Sequence, residues 1–230
     1  MVSAIITAKN EARTIAEAVQ ACKPHCDEII VVDGHSDDGT SEIAEKAGAR
    51  VIQDNGRGKG EATRLGLDQA KGDILIVLTS DGSDEYAKIP ALIAPIRDGK
   101  ADLVVGSRFE GGSEELSVNA EQLIRTMGNI SLNVMINWRW NTYLTDVLNG
   151  FRAVSRSAYQ DLDCRCDSAA VEVEMVVKAL AFGYRVTNTP THEYARKYGD
   201  TRLTVWKEGI KIYWCVFKHF FTPSRAPRPR

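Results

Sequence analysis

Short apolar runs alternate with amphipathic segments through the first half of the chain. "VSAIIT", "EIIVVD", "ARVIQ", "DILIVLT" and "ADLVVGS" are apolar almost throughout and too short for helices. Between them, "NEARTIAEAVQAC", "TSEIAEKAG", "GEATRLGLDQAKG" and "KIPALIAPIRDG" carry apolar residues near helical spacing. Thr40 or Ser41 caps the second of these, Gly48 closes it, and Pro90 stands near the start of the fourth. Strands with no polar face, separated by helices, predict a mostly parallel α/β sheet covered on both sides.

The second half is less regular. Residues 113–145 read as largely helical, with Leu123, Ile124, Met127, Ile130 and Val134 near helical spacing. "GFRAVS" and "YRVTNTP" are strand-like, and "AAVEVEMVVKALAFG" is a helix ended by Gly183. "LTVWKEGIKIYWCVFKHFF" predicts a last, unusually aromatic helix, and the proline- and arginine-rich "TPSRAPRPR" predicts a disordered tail.

A chain of 230 residues that is 43% hydrophobic can bury one good core. Its net charge of −2 argues against nucleic acid as a partner. The charge is unevenly spread: from residue 205 onward, six cations face Glu208 alone. A basic end on an acidic body points to an anionic surface. The aromatic stripe Trp206, Ile210, Tyr213, Trp214, Phe217 and Phe221 fits core or a homo-oligomer contact. Flanked by lysines, it fits a helix lying in a membrane interface better. "INWRWNTY" joins it on the same grounds. No run reaches the ~20 apolar residues that a membrane span needs. The five cysteines and the absence of a signal-peptide pattern predict a reduced, cytoplasmic setting. "CKPHC" and "CRC" match no standard zinc spacing, which predicts buried or idle thiols.

Ligands of a doubly wound sheet gather where its strands end. The five ends read "TAKNE", "DGHSDDGT", "DNGRGKG", "TSDGSDE" and "GSRFEGG", all polar, small or charged. They offer Thr7, Asn10 and Glu11, then Asp33, then Arg57 and Lys59, then Thr79, Ser80 and Asp81, and finally Arg108. Asp33 suits a ribose or a base N–H, while Asp38 and Thr40 suit an Asx-turn and a helix cap. The glycines of "NGRGKGE" let backbone approach a ligand, with Arg57 and Lys59 to meet phosphate charge. The stretch is not a P-loop.

Taken in order, "IITAKNEARTI", "VVDGHSDDGT", "GRGKGEA", "TSDGSDE", "VVGSRF", "TDVLNGFRAVSR" and "RKYGDTRL" resemble the motifs of family 2 glycosyltransferases over residues 2–205. The branch they resemble most is the polyprenyl-phosphate, dolichol-phosphate mannose synthase-like one. The resemblance implies a GT-A (Rossmann-like) fold, a nucleotide-diphospho-sugar donor, Mg²⁺ or Mn²⁺, and an inverting transfer to a lipid-phosphate or glycan acceptor. It places Asn10 and Glu11 near the nucleotide and Asp33 at the base or ribose. Asp81 becomes a metal ligand, assisted by Ser83, Asp84 or Glu85. Asp146 and Arg152 fall in the acceptor region, and Arg196 and Arg202 meet phosphates. Residues 1–110 would form the nucleotide-sugar half, 111–205 the acceptor half, and 206–230 the amphipathic helix and basic tail, with the protein peripheral at the cytoplasmic membrane face.

Three departures bear on the chemistry. "PAYNE" is "TAKNE", "VDDGS" is "VDGHS", and the usual Asp-Ala-Asp is "TSD", so that Thr79 stands where a second carboxylate would. A closing "GDTR" replaces "GxSK" and keeps a hydroxyl and a cation, although Arg and Lys grip phosphate differently. A phosphate acceptor is already anionic near neutrality, whereas a hydroxyl acceptor would need a base, for which Asp146 is the candidate. Two other readings compete. One is a sugar nucleotidyltransferase, which would open with a G-x-G-T-R-like loop. The other is a family member that binds nucleotide sugar without turnover, as Thr79 suggests.

Overall fold

The computed structural model describes residues 1–115, 120–198 and 205–221. Arg202 and the tail from residue 222 lie outside the described residues, as does the Trp206 side chain. Seven strands form one sheet: β1 (Val2–Ala8), β2 (Glu28–Asp33), β3 (Arg50–Gln53), β4 (Ile74–Thr79), β5 (Leu103–Ser107), β6 (Arg152–Ser155) and β7 (Val186–Pro190). Their order is β3-β2-β1-β4-β6-β5-β7. Only β6 runs antiparallel, between β4 and β5; the other six point the same way. Six carboxyl ends therefore share one edge, which is where an open α/β sheet binds ligands.

The helices are α1 (Ile15–Cys22), α2 (Thr40–Lys46), α3 (Lys59–Gln69), α4 (Ile89–Arg97), the single turn α5 (Arg108–Gly111), α6 (Ala120–Trp140), α7 (Arg156–Leu162), α8 (Ala170–Ala181) and α9 (Val205–Phe220). Helix α1 shows why this layering holds. Ile15, Ala18, Val19 and Cys22, on one helical stripe, are all buried against Ile6 and Val31 of the sheet. Each large aliphatic side chain buried this way contributes about 1.5–3 kcal/mol. The opposite face of the sheet, with Ile5, Val32 and Leu75, packs into a second core that includes Leu132, Val173 and Val216 from α6, α8 and α9. Helix α9 is thus stitched into the body through Cys215 and Val216. Its other face, together with one stripe of α6, remains exposed.

All seven expected strands and the GT-A-like layering are present. The stretch 113–145 resolves into α6 within a longer loop. Helix α7 was not expected. At seven residues it is too short to show a period, and its signal is the Ser155 hydroxyl, which accepts the Ala158 N–H at 3.3 Å as an N-cap.

Candidate active site

The β4 end forms a tight loop around Asp81. Oδ1 of Asp81 accepts the Ser83 hydroxyl at 2.7 Å, the Thr79 hydroxyl at 2.9 Å and the Ser83 amide at 3.1 Å. Burial opposes ionisation of Asp81, but these donors and the charge of Arg196 outweigh it and hold its carboxyl below the usual range. Thr79 also meets Asp84, whose Oδ2 accepts its amide at 2.7 Å and lies 2.9 Å from its hydroxyl, so the two carboxylates compete for one hydroxyl proton. Burial, with Asp81 nearby, pushes Asp84 up to about 7. Thr79 therefore bridges two carboxylates, one ionised and one poised near neutrality. Ser80 turns the other way, is buried, and donates to the Thr7 carbonyl at 3.0 Å, tying β4 to β1.

Arg196, from the segment after β7, reaches over this loop. Its Nη1 lies 3.5 Å from Asp81 Oδ2, and its Nη2 donates to Glu11 Oε1. Glu11 is buried at the start of the β1–α1 turn, where its amide donates to the Thr40 hydroxyl at 2.9 Å. The two carboxylates that Arg196 joins come from two strand ends, Glu11 after β1 and Asp81 after β4. Oxygen donors suit Mg²⁺ or Mn²⁺, which keep waters and take substrate phosphates. A guanidinium already bridges the two, so the pocket accommodates positive charge, and the residues present fit such a cation. Among the described residues no group of three His, Cys, Asp or Glu side chains could hold a metal unaided.

Asp33 is fully buried, and its oxygens accept the amide and hydroxyl of Ser36. This is the turn-shaping role that the sequence assigns more readily to Asp38. Asp38 holds the neighbouring turn by accepting the Thr40 amide at 3.1 Å and the Ala12 amide at 3.0 Å. Asn10 sits at φ 55°, and its Oδ1 accepts the Asp37 amide at 3.1 Å, so the β1 and β2 ends are locked together. Arg57 is exposed. Lys59 donates to Glu172 Oε1 at 2.7 Å; burial counts against its charge, but Glu172 outweighs that and raises its pKa. Of the glycines beside it, Gly58 and Gly60 meet the chain's own backbone, while the space around Gly56 is open. A Cβ at Gly60 would collide with the carbonyls of Cys166 and Ser168, because the Gly60 amide donates to the Asp167 carbonyl at 2.9 Å.

Asp146 is fully buried and grips Arg108 at two points, with Nε to Oδ2 at 2.6 Å and Nη2 to Oδ1 at 3.0 Å. The Asn129 amide adds a donor to Oδ1 at 2.7 Å. Burial resists ionisation of Asp146, but Arg108 overrides it and keeps its carboxyl well below the usual range. The remaining guanidinium nitrogen of Arg108, Nη1, faces Glu193 Oε1 at 3.2 Å. Arg152 is buried and donates to the carbonyls of Val147, Asn149 and Glu172, holding the turn that carries Asp146.

A cavity of about 1090 Å³ opens beside Arg108 and Glu193. Its walls are largely apolar and come from α6 and α9, including Leu132, Met135, Ile212 and Phe217. Met127, Ile210, Trp214 and Phe217 line it and are also more than half exposed, so its rim merges with the apolar outer face. Sequence reading passed over Asn129 and Glu193. Asn129 left one signal, a polar residue on the same stripe of α6 as buried Leu132 and Ile136. Glu193 left none.

A parallel α/β sheet whose strand ends collect carboxylates, cations and turn amides, beside an apolar cleft, defines a GT-A-like sugar-transferring enzyme. The chain belongs to glycosyl transferase family 2, whose pattern matches residues 3–163, and it is a glycosyltransferase. It is 32% identical over 212 residues to glycosyltransferase AglJ of Haloferax volcanii, covering 91% of this chain and 68% of that one. It is 29% identical to the dolichyl-phosphate hexose transferase of the same organism, covering 83% and 80%. Its fold matches glucosyl-3-phosphoglycerate synthase from Mycobacterium tuberculosis, solved with Mn²⁺, UDP and glucosyl-3-phosphoglycerate. That match has a TM-score of 0.69 at 20% identity, covering 97% of this chain and 81% of that one.

Proposed function

We propose that this chain transfers a sugar from a nucleoside-diphosphate sugar to a polyprenyl phosphate, with inversion, while lying on the cytoplasmic face of a membrane. One observation carries the acceptor assignment: the largely apolar cavity has in its wall Arg108, a cation fixed in place by Asp146. An isoprenoid phosphate has the matching shape and charge, a long apolar body with an anionic tip. The naming of one relative as a dolichyl-phosphate hexose transferase supports the same class.

The roles of the residues follow from their geometry. Arg108 would receive the acceptor phosphate through Nη1, the nitrogen not held by Asp146, where the phosphate has to take the place of Glu193. Both oxygens of Asp146 are engaged with donors and its pKa is low, so it orients Arg108 and takes no proton. None is needed, since the phosphate oxygen is already anionic. Arg152 is a positioning residue as well, acting through the backbone of the 147–149 turn. On the donor side, Asn10 and Asp33 shape the wall beside the nucleotide, while Lys59, Arg57 and Arg196 supply positive charge near the diphosphate. A divalent cation held by Asp81, with Ser83 beside it, would neutralise that diphosphate as it leaves. The acceptor oxygen bonds to the anomeric carbon as the bond from that carbon to the β-phosphate oxygen breaks. Attack from the face opposite the leaving group inverts the centre.

Among the described residues no helix is long and apolar enough to cross a membrane. The exposed stripes of α6 (Met127, Val134, Trp138) and α9 (Ile210, Trp214, Phe217) instead suit an interfacial seat. That seat would let the lipid enter the cavity sideways from the bilayer.

The test is transfer of radiolabelled sugar from UDP-, GDP- and dTDP-sugars to a short polyprenyl phosphate in detergent with Mn²⁺. Label should move into the organic phase for one donor. Transfer only to water-soluble acceptors would overturn the lipid assignment.

A further inference from the structure

Asp81 shows two different faces to its surroundings. Oδ1 takes three hydrogen bonds from its own loop, at 2.7, 2.9 and 3.1 Å. Those donors crowd Oδ1, so Oδ2 is the more open oxygen for a cation that binds Asp81. Oδ2 is the oxygen facing Arg196 Nη1 at 3.5 Å, while Nη2 of the same guanidinium holds Glu11. The planar fork meets the two carboxylates with two separate nitrogens, where a lysine has one ammonium to share. Two positive charges sharing one oxygen repel strongly where water is scarce.

The backbone explains why Arg196 lies there. Segment 191–198 is laced across the cleft: the Tyr194 amide donates to the Ser83 carbonyl at 2.9 Å and the Glu193 amide to the Gly112 carbonyl at 3.0 Å. The Ala195 amide donates to Glu114 Oε2 at 2.8 Å. Lys197 then anchors the far end on α1, with its Nζ 2.6 and 2.7 Å from the two oxygens of Glu17. These bonds fix where the segment crosses, and the Arg196 side chain alone reaches inward to the two carboxylates.

The geometry points to Arg196 as an exchangeable internal cation of the donor site: it holds Asp81 Oδ2 and Glu11 in the position a divalent cation takes, and the two exclude one another there. The inference rests on the reading that the donor binds with such a cation. Its consequence is that Arg196 keeps affinity for the cation alone low. Once displaced, the same side chain is free to turn to the anionic diphosphate. Cation binding and the position of segment 191–198 are then linked, and the linkage acts in both directions.

The experiment titrates Mn²⁺ alone, followed by the paramagnetic resonance signal of the free ion, into the wild type, Arg196→Gln, Arg196→Lys and Lys197→Gln. Circular dichroism checks that each is folded. Arg196→Gln should bind Mn²⁺ about tenfold more tightly than the wild type, within the usual range of coupling between sites. Arg196→Lys, which keeps the charge but offers one nitrogen in place of two, should fall between them. Lys197→Gln, which frees the far end of the segment from Glu17, should bind Mn²⁺ more tightly than the wild type and less tightly than Arg196→Gln. Equal or weaker binding by Arg196→Gln, where the wild type does bind Mn²⁺, overturns the exchange and leaves the cation-dependent donor site standing. Absence of Mn²⁺ binding in every variant, with and without UDP, overturns both.

Discussion

Arg108 and Asp146 form a two-point ion pair, with contacts of 2.6 and 3.0 Å, in which the carboxylate is fully buried and the guanidinium borders an apolar cavity. Breaking such a pair from one side leaves a buried charge without its partner, which costs about 3–5 kcal/mol. Asp146→Asn should therefore destabilise the protein by that order, measured by urea unfolding at pH 7. The folded-state pKa of Asp146 is depressed, so its contribution is complete above the unfolded value of about 3.9 and fades as pH falls below it. The wild type should lose this stability in acid, and the variant should not. Turnover separates the roles. A positioning carboxylate raises the acceptor KM when amidated, whereas loss of a base would depress kcat at unchanged KM.

Asp84 should behave in the opposite sense. Its folded-state pKa is raised to about 7, so the folded chain holds that proton more tightly than the unfolded chain does. The resulting penalty is full above pH 7 and vanishes as pH falls towards 4. In EDTA, Asp84→Asn should raise the melting temperature at pH 8 and have little effect near pH 4.5. The gain at pH 8 should be on the order of 2 kcal/mol once partial exposure is discounted. A pH-independent change would mean that the carboxylate is not carrying the shift.

The sheet was legible because β1, β2, β4 and β5 are apolar on both faces, a pattern that only a doubly covered strand satisfies. Site residues at the strand ends were legible for the same reason, since the ends follow from the strands. Their partners were not. Arg196 meets a glutamate 185 positions away, and Arg108 meets Asp146 across 38, and neither distance leaves a local pattern. In "GRGKGE" the glycines Gly58 and Gly60 make their close approach to the chain's own 166–168 loop, a partner more than 100 positions away that leaves no local pattern.

Thr79 is the clearest departure from a two-carboxylate loop, and its contacts define what a carboxylate there would do. Its hydroxyl lies 2.9 Å from both Asp81 Oδ1 and Asp84 Oδ2. An aspartate in that place would put a third carboxyl between two others, and a cation would relieve the crowding. Thr79→Asp should lower the melting temperature in EDTA and show a larger Mn²⁺-dependent rise than the wild type. If Mn²⁺ raises both equally, position 79 does not face the cation.

The membrane seat calls for a test that leaves the core intact. Deleting α9 would strip Cys215 and Val216 from the second core, so lost binding could reflect unfolding. Ile210, Trp214 and Phe217 are instead 70%, 67% and 56% exposed, and replacing them with serine removes apolar surface without opening a cavity. The triple variant should keep its melting temperature within about 6 °C, since each substitution at an exposed position usually shifts stability by no more than about 0.5 kcal/mol. In flotation assays it should lose binding to vesicles containing phosphatidylglycerol. Because Lys211 and Lys218 flank this face, wild-type binding should also weaken as salt rises. Retained flotation of the triple variant at low salt would show that the apolar stripe of α9 is not the membrane contact.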